Sequence, residues 1–394
     1  MILFLILVAS EYLTFLAFRQ HYKGFSRTKY YLSALVNTVL SIYLWILYAE
    51  VSSFGGRYDD PAHVWLMMNF AGAVSAILFP RVIFDILHFT GKLIRLHRNT
   101  HIRSLSNAGI FIWIIIFALV TGGSIHGKFN FKTENISVNV KGLNKDLDGF
   151  RIVQISDVHQ TTFFRHKKTL RNLMLKINSY NPDLVINSGD FVEIGYNEFG
   201  RNDTIFNIAK GRYGNYAILG NHDIGTYYPG ITEEGIDTNI ARISKLITAS
   251  GYHLLRDENV ILKIGGARLG IAGTVTRGSY PNITHGDLGK AIAGLDSADF
   301  RILISHDPNH WESDISNKTN IDLTLSGHTH GMQMGILTKN FRWSPSKYFY
   351  KNWNGLYTNG KQFLYVNRGL GVIRLPFRIF MPPEITVITL VRAS

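Results

Sequence analysis

Seven side chains of the kinds that bind metal ions lie between residues 157 and 330 of this 394-residue chain, each close behind a short apolar run. They are Asp157, His159, Asp190, Asn221, His306, His328 and His330. Carboxylate, amide and imidazole ligands without thiolate suit Mn²⁺, Fe or Zn²⁺, and the chain contains no cysteine. The donor set therefore predicts a metal centre built from oxygen and nitrogen ligands.

The number of donors indicates two ions rather than one. A single site needs about four protein ligands, whereas these residues give four to each of two ions if one carboxylate bridges them. Two neighbouring ions stabilise the attacking and leaving oxygens of a displacement at phosphorus. They also lower the pKa of a bridging water, so that a metal-bridging hydroxide can attack. His222 is not needed as a ligand for either ion and is therefore the candidate donor of a proton to the leaving-group oxygen.

Each motif has a structural explanation when it is taken alone. Asp157-x-His159 is a weak signal by itself, and a single histidine after a strand, such as His306, is more often hydrogen-bonded than a ligand. Residues 220–223, Gly-Asn-His-Asp, are compatible with a turn that caps a helix. The conjunction of all these motifs, in order and at strand ends, has no comparable structural explanation.

The elements that must position these residues have the pattern of a β–α–β unit. Residues 151–156 form a β-branched run that ends at Asp157, and residues 167–180 carry apolar side chains at helical spacing. The remaining strand candidates are residues 183–187, 216–219, 300–304 and 321–325. Ligands of open α/β sheets bind at the carboxyl ends of the strands, which is where the polar residues stand.

The motifs resemble the five ordered motifs of the calcineurin-like metallophosphoesterases. The matching residues are Asp157-x-His159, Gly189-Asp190, Gly220-Asn221-His222-Asp223, His306 and Gly327-His328-x-His330. The resemblance covers residues 129–394. It implies an α/β fold, a four-layer α/β/β/α sandwich with a dimetal site at one edge.

The resemblance also implies an assignment of the ligands to two ions. Asp157, His159, Asp190 and His330 would hold the first ion, and Asp190, Asn221, His306 and His328 the second, with Asp190 as the bridge. His222 falls on the family's catalytic histidine. The family's second motif often has an aspartate three residues after the bridging one. This chain has Glu193 there, a departure expected to change how His222 is oriented.

The C-terminal motifs are similar to those of a bacterial subgroup of membrane-associated phosphoesterases. They lie at residues 306–308, 327–333, 367–371 and 382–386. The subgroup includes enzymes that act on phospholipid-like or UDP-diacylglucosamine-type pyrophosphates. Met332 stands where the subgroup usually has a second glycine. Arg368 and Arg374 are candidate contacts for a substrate anion, with a structural role as the alternative for each.

Residues 1–128 predict an all-α membrane domain that precedes the catalytic domain, residues 129–394. Their apolar segments, about four transmembrane helices, are residues 2–18, 30–49, 62–80 and 104–127. The last three are long enough to cross a hydrocarbon core of about 30 Å. The first is interrupted by Glu11 and is interpreted as an anchor rather than a cleaved signal peptide. Residues 129–148 are expected only to connect the last span to the first core strand.

Basic residues between the segments predict the orientation in the membrane. The first loop carries Arg19, Lys23, Arg27 and Lys29, and the third carries Arg81, Lys92, Arg95, Arg98 and Arg103. The second loop has only Arg57, set against Glu50, Asp59 and Asp60. The positive-inside rule places the first and third loops in the cytoplasm. The sequence therefore predicts a multi-pass protein of the cell membrane with an extracytoplasmic catalytic domain.

The functional prediction is a dimetal-dependent phosphoester hydrolase of the phosphodiesterase or pyrophosphatase type, anchored in the membrane. Its expected substrate is a lipid-linked or envelope phosphate, and manganese is the expected metal, with zinc or iron as alternatives. A formal charge of +13 suits anionic headgroups or substrates, and no basic run or motif indicates nucleic acid.

Two other classes of function fit the sequence less well. A catalytically silent binding or scaffold module of the same fold would lack metal ligands, and none is missing. Transport through the spans would need more intramembrane charge than Glu11 and Asp85, the latter expected near a helix end.

Overall fold

The structure, a computed structural model, describes residues 2–23, 26–55, 60–98, 103–200 and 202–393. The chain forms two compact units. The first comprises Met1–Arg57, Leu66–His126 and the short segment Leu375–Ile379. The second comprises Tyr58–Trp65, Gly127–Arg374 and Phe380–Ser394.

The first unit is helical. Its helices are α1 (Ile2–Tyr22), α2 (Arg27–Ser53), α3 (Pro61–Ala73), α4 (Phe79–Arg98) and α5 (Arg103–Ile125), and a π-helical turn, Val74–Leu78, joins α3 to α4. Four helical stretches are long and apolar enough to cross a membrane: Ile2–Tyr22, Arg27–Ser53, Pro61–Ile94 and Arg103–Phe129. The predicted all-helical region with four candidate spans is confirmed.

The prediction of a loop over residues 81–103 is wrong, because α4 continues to Arg98. The predicted third apolar segment ends at Pro80, since proline removes a backbone donor and disfavours a helix interior. Here the π-helical turn ends at Leu78, two residues before Pro80, and a turn of this kind accommodates the missing hydrogen bond. Arg57 and Asp59, and the side chains of residues 95–98, lie outside the described residues.

Arg81 is fully buried in the helical unit, so it does not belong to the basic loop from which the orientation was argued. Its Nη2 donates a hydrogen bond to Ser41 Oγ at 2.9 Å, and its Nη1 lies 3.9 Å from Glu11 Oε1. Glu11 also accepts a hydrogen bond from Trp45 Nε1 at 2.7 Å. Glu11, the charge that interrupts the first apolar segment, thus has two partners.

The same face of α4 stays polar for two further turns. Asp85 accepts a hydrogen bond from Thr14 Oγ1 at 2.8 Å, and His88 Nδ1 lies 3.0 Å from Ser106 Oγ. Asp85 and His88 are both buried, and Asp85 is in the middle of α4 rather than near its end. The helical unit therefore holds more buried charge than the two carboxylates, Glu11 and Asp85, that the sequence predicts.

The second unit contains two six-stranded sheets. The first has the strand order β1-β16-β2-β3-β4-β5, formed by Lys132–Lys141, Glu384–Ala393, Arg151–Ile155, Leu184–Asn187, Asn215–Ala217 and His253–Leu254. The second has the order β14-β15-β11-β10-β7-β6, formed by Gly355–Asn359, Gln362–Val366, Leu323–Ser326, Phe300–Ile304, Ala267–Gly273 and Glu258–Ile264. Two short hairpins pair β8 (Thr276–Arg277) with β9 (Thr284–His285) and β12 (Ile336–Leu337) with β13 (Arg342–Trp343). The helices are α6 (Lys167–Ser179), α7 (Asp203–Phe206), α8 (Glu233–Ala249) and α9 (Leu288–Ile292).

Alternation along the strands separates the layers of this unit. Ile152 and Ile302 point into a core between the two sheets, whereas their neighbours Val153 and Leu303 point outward. Val153 joins a cluster with the apolar faces of α6 and α8, and Leu303 joins one that includes Trp311. The predicted α/β/β/α sandwich is confirmed.

The prediction for residues 129–148 is wrong, because ten of them form β1, which pairs in parallel with β16 along its whole length. The signal was present in the sequence. Ile136, Val138 and Val140 alternate with polar residues, which is the period of a strand with one face on a core.

We expect Arg81→Ala to lower the unfolding free energy of the helical unit by about 1–3 kcal/mol, because it removes a buried guanidinium together with its hydrogen bond to Ser41 and its ion pair with the partly exposed Glu11. Thermal unfolding of the detergent-solubilised protein, followed by helical circular dichroism, measures the effect. Lys92→Ala, which removes an exposed cation from the same helix, is the matched control and should change stability little. Equal stability of the two variants would contradict the role given to Arg81.

Candidate metal centre

The predicted site residues follow five parallel strand ends. In the first sheet β2, β3 and β4 are adjacent and parallel, and in the second β10 and β11 are. Their carboxyl ends therefore meet at one edge of the sandwich. The structure brings all seven predicted ligands and His222 together there. Which ion each residue binds remains a prediction.

The first group of donors is Asp157, His159 and His330, whose candidate ligand atoms lie within 4.8 Å of one another. His159 Nε2 and His330 Nε2 are 3.1 Å apart, and His330 Nε2 is 3.2 Å from Asp157 Oδ1. All three side chains are buried. Nitrogen ligands about 2.1 Å from one ion come to about this separation, so the group fits a transition-metal ion.

The second group is Asp190, His306 and His328, whose candidate ligand atoms also lie within 4.8 Å of one another. Asp190 Oδ2 lies 3.0 Å from His306 Nε2 and also 3.8 Å from His159 Nε2 in the first group. Asp190 is thus the carboxylate that contacts both groups. This placement supports the bridging role that the family resemblance implies.

A polar contact on the second ring nitrogen fixes the orientation of each of three histidines. His306 Nδ1 lies 2.8 Å from the carbonyl oxygen of Ser188, and His328 Nε2 lies 3.0 Å from the hydroxyl of Tyr350. His159 Nδ1 lies 2.9 Å from Glu193 Oε2. The opposite nitrogen of each ring is left for an ion, which is the arrangement that metal-binding histidines adopt.

Asn221 is oriented in the same way. Its Nδ2 donates to the hydroxyl of Tyr227 at 2.9 Å, while its buried Oδ1 has no hydrogen-bond partner among the described residues. Buried polar atoms are rarely left unsatisfied. The unsatisfied Asn221 Oδ1 and the convergent carboxylate and imidazole donors therefore fit two divalent cations.

The charges in the pocket are strongly coupled. Burial opposes protonation of His159, but its hydrogen bond to Glu193 and the nearby carboxylates raise its pKa to about 9. Against the same desolvation, the charge of Asp190 raises the pKa of His306 to about 10. The imidazoles in turn hold the pKa of Asp190 and Asp157 well below the usual range despite burial. Metal binding here would replace imidazolium protons.

Most of the predicted ligands have strained backbones. Their φ angles are 47° at Asp157, 39° at His159, 56° at Asp190, 69° at His328 and 50° at His330. These lie in the left-handed region, which costs non-glycine residues on the order of 1–3 kcal/mol each and is concentrated at functional sites. Met332 shares this conformation at 45°, which explains why the subgroup places a glycine there.

Asp223 holds the loop that follows β3, which contains Asp190, against the loop that follows β4, which contains Gly220. Its carboxylate accepts hydrogen bonds from the backbone N–H groups of Asp190, Phe191, Val192 and Gly220, at 2.8–3.2 Å. Gly220 is required by close approach, because a Cβ atom there would lie 2.1 Å from Asp190 Oδ1. The family motif that contains these residues is thus a support for the carboxylate as well as a source of ligands.

His222 is held by the backbone of Glu193 and not by its side chain. His222 Nδ1 lies 2.6 Å from the backbone carbonyl of Glu193, so it takes a main-chain rather than a carboxylate partner. The Glu193 carboxylate instead contacts His159. Burial lowers the pKa of His222, partly offset by Asp190 and Glu193. Since Nδ1 is occupied, Nε2 is the nitrogen that can exchange a proton with a leaving group.

The two tail arginines have different environments. Arg368 is buried and forms ion pairs with Glu384 at 3.0 Å and Glu134 at 2.7 Å, so the structural alternative holds for it. Arg374 is exposed, with its guanidinium 5.7 Å from the Tyr227 ring centre.

Sequence reasoning missed Tyr227 and Tyr350, the hydrogen-bond partners of two predicted ligands. No motif marks either tyrosine, because each is brought to the site by a loop outside the strand ends.

We expect Gly220→Ala to weaken metal binding about 10- to 100-fold, because its Cβ would displace the Asp190 carboxylate and such supporting contacts have effects of that size. Metal analysis and calorimetric titration of the dialysed protein measure it. Gly289→Ala, whose Cβ has 3.4 Å of clearance from Asp287 Oδ1, is the control and should bind metal as the unaltered protein does. Full metal occupancy in Gly220→Ala would show that the Asp190 carboxylate is not held as described.

Comparisons with known proteins agree with this geometry. The profile of the family described as calcineurin-like phosphoesterase matches residues 150–332. The uncharacterized metallophosphoesterase YkuE of Bacillus subtilis is 32% identical over 252 residues, which cover 62% of this chain and 79% of YkuE. A zebrafish transmembrane protein with a metallophosphoesterase domain is 28% identical over 344 residues, 85% of this chain and 76% of that protein.

A third relative has a named activity. The UDP-2,3-diacylglucosamine pyrophosphatase LpxG of Chlamydia muridarum is 27% identical over 282 residues, 61% of this chain and 83% of LpxG. The ordered motifs, their convergence and the match to YkuE lead to one conclusion. The chain belongs to the calcineurin-like phosphoesterase family and is a metal-dependent phosphoester hydrolase.

Proposed function

We propose that this chain is an integral membrane enzyme that hydrolyses a lipid-linked or cell-envelope phosphate, a phosphodiester or pyrophosphate, with two divalent metal ions. The observation that carries the catalytic part is the position of Asp190 Oδ2, between His306 Nε2 at 3.0 Å and His159 Nε2 at 3.8 Å. The membrane part is supported by the four apolar helices and by the zebrafish relative, which is named a transmembrane protein. A bilayer anchor keeps the enzyme close to a substrate that resides in the same bilayer.

Manganese is the metal that we propose, since the donors are carboxylate, amide and imidazole and the chain has no thiolate. When bound, the two ions would act as Lewis acids on the phosphoryl oxygens and lower the pKa of water. Asp157, His159, Asp190 and His330 would hold one ion, and Asp190, Asn221, His306 and His328 the other.

The chain's own residues supply orientation and a proton. Tyr350 and Ser188 fix the rings of His328 and His306, so that the donor atoms are placed before substrate arrives. His222, fixed through Nδ1, is the residue that we propose to protonate the leaving-group oxygen through Nε2.

The catalytic proposal is tested with purified protein and Mn²⁺, assayed on bis-p-nitrophenyl phosphate and on lipid pyrophosphates. Asp190→Ala should lose both bound metal and activity, because it removes the carboxylate shared by the two groups. His222→Ala should keep its metal and lose about 100- to 10,000-fold in kcat, the usual contribution of a positioned acid. Equal activity of the wild type and both variants would refute the assignment.

The extracytoplasmic position of the catalytic domain is a separate part of the proposal. It rests on the basic residues of the first loop and on Lys92 and Arg103. Arg81 does not contribute, because it is buried among the helices. Alkaline phosphatase fused after Ser394 should be active, and a fluorescent protein at the same position should be dark. Fusions truncated after Lys29 should show the opposite pattern. A fluorescent full-length fusion would overturn the proposed orientation without affecting the catalytic proposal.

A further inference from the structure

Arg374 stands beside the candidate acid with one aromatic ring between them. The Tyr227 ring stacks on the His222 ring, with centroids 4.1 Å apart and planes at 11°, and the Arg374 guanidinium carbon lies 5.7 Å from the Tyr227 ring centroid. A guanidinium within about 6 Å of an aromatic centroid is attracted by the ring. Tyr227 therefore holds the cation on the side of the site where His222 would meet a leaving group.

The backbone of Arg374 is tied to the metal centre through Glu193. The N–H of Arg374 donates to Glu193 Oε1 at 3.1 Å, while Oε2 of the same carboxylate contacts His159. The Glu193 carbonyl is the partner of His222 Nδ1. One residue thus sets the positions of a predicted ligand, the candidate acid and Arg374. An aspartate, shorter by one methylene, would reach less far.

The conformation of Arg374 is itself unusual. Its φ is 56°, in the left-handed region that residues with side chains rarely adopt. Such conformations persist where the surroundings impose them, and they are concentrated at binding and catalytic sites. The hydrogen bond to Glu193 is the imposed contact here.

The Tyr227 ring is the side-chain contact of the Arg374 guanidinium, and this contact leaves the positive charge unneutralised. Within the described part of the chain, no carboxylate lies within 4.0 Å of its guanidinium, whereas the buried Arg368 pairs with two glutamates. The exposed face of Arg374 can therefore bind an anion. A planar guanidinium with parallel N–H groups suits phosphate, which it contacts through two hydrogen bonds.

We propose that Arg374 binds a second phosphate on the leaving-group side of the scissile bond, so that the preferred substrate class is a pyrophosphate diester. This inference rests on the proposed phosphoester hydrolysis at the same site. Water oxygen bonds to one phosphorus, and the bond from that phosphorus to the bridging oxygen breaks. The bridging oxygen leaves with the electron pair on the second phosphate, and each phosphate monoester product retains one proton of the water. Arg374 neutralises the charge that the departing phosphate gains.

The test compares two substrates, UDP-glucose as a pyrophosphate diester and bis-p-nitrophenyl phosphate, whose leaving group carries no phosphate. Arg374→Gln should lower kcat/KM for UDP-glucose about 10- to 100-fold more than for bis-p-nitrophenyl phosphate, the range expected for hydrogen bonds to a charged group. Arg374→Lys, which keeps the charge without the planar fork, should give an intermediate ratio. Metal content should be unchanged in both variants.

Arg212→Gln is the matched control, because Arg212 is also exposed over a tyrosine ring, 5.2 Å from the Tyr213 ring centroid. It precedes β4 at the amino end of the strand, away from the metal centre, and should leave the substrate ratio unchanged. Equal losses on both substrates in Arg374→Gln, or a wild type active only on bis-p-nitrophenyl phosphate, would overturn the inference alone. A wild type inactive on both would overturn the proposed function and the inference with it.

Discussion

The buried carboxylate of Asp190 faces imidazoles on two sides, and the rest of the site is arranged around it. Its Oδ2 lies near His306 and His159, and its Oδ1 accepts the backbone N–H of His222 at 3.0 Å. In a buried site these charges interact more strongly than in water, so small displacements have large energetic effects. A buried, ionised carboxylate is stable there only while cations, imidazolium or metal, remain in contact with it.

Holding that carboxylate requires a rigid scaffold. The ligands are carried by loops with left-handed backbones, a conformation that is unfavourable for each residue. The two sheets offset the cost of these backbone conformations. Within each sheet the strands are hydrogen-bonded to one another, and the facing sides of the two sheets form one apolar core. Asp157 joins the sheets at the site, because its carboxylate accepts the N–H of His328 at 3.0 and 3.1 Å. The chemistry and the packing are therefore coupled at the same residues.

Glu193 connects three residues of the site. An aspartate at this position would present its carboxylate nearer to the main chain. The glutamate reaches His159 and the backbone of Arg374, and its carbonyl supports His222. The catalytic unit has its own charged network, as does the helical unit around Arg81. In each, a buried group of one charge is stable because groups of the opposite charge are close by.

The sequence alone determined the metal chemistry, the α/β fold and the strand ends that carry the donors. Those features are local: residue types fix the ligand set, and apolar runs with turn signals fix where strands stop. The same local pattern indicated four apolar segments, although Pro80 led to an early end for the third. Hydropathy does not reveal a π-helical turn that accommodates a proline.

Only the tertiary structure decided which polar residues are partners. Arg81 looks like a loop cation in the sequence and is buried beside Glu11, 70 positions earlier in the chain. Arg368 and Arg374 are six residues apart and equally basic, yet one is held by two glutamates and the other faces solvent over Tyr227. Such roles depend on contacts between residues distant along the chain. They are set when the sheets and loops pack, because the energy of a charge depends on what surrounds it.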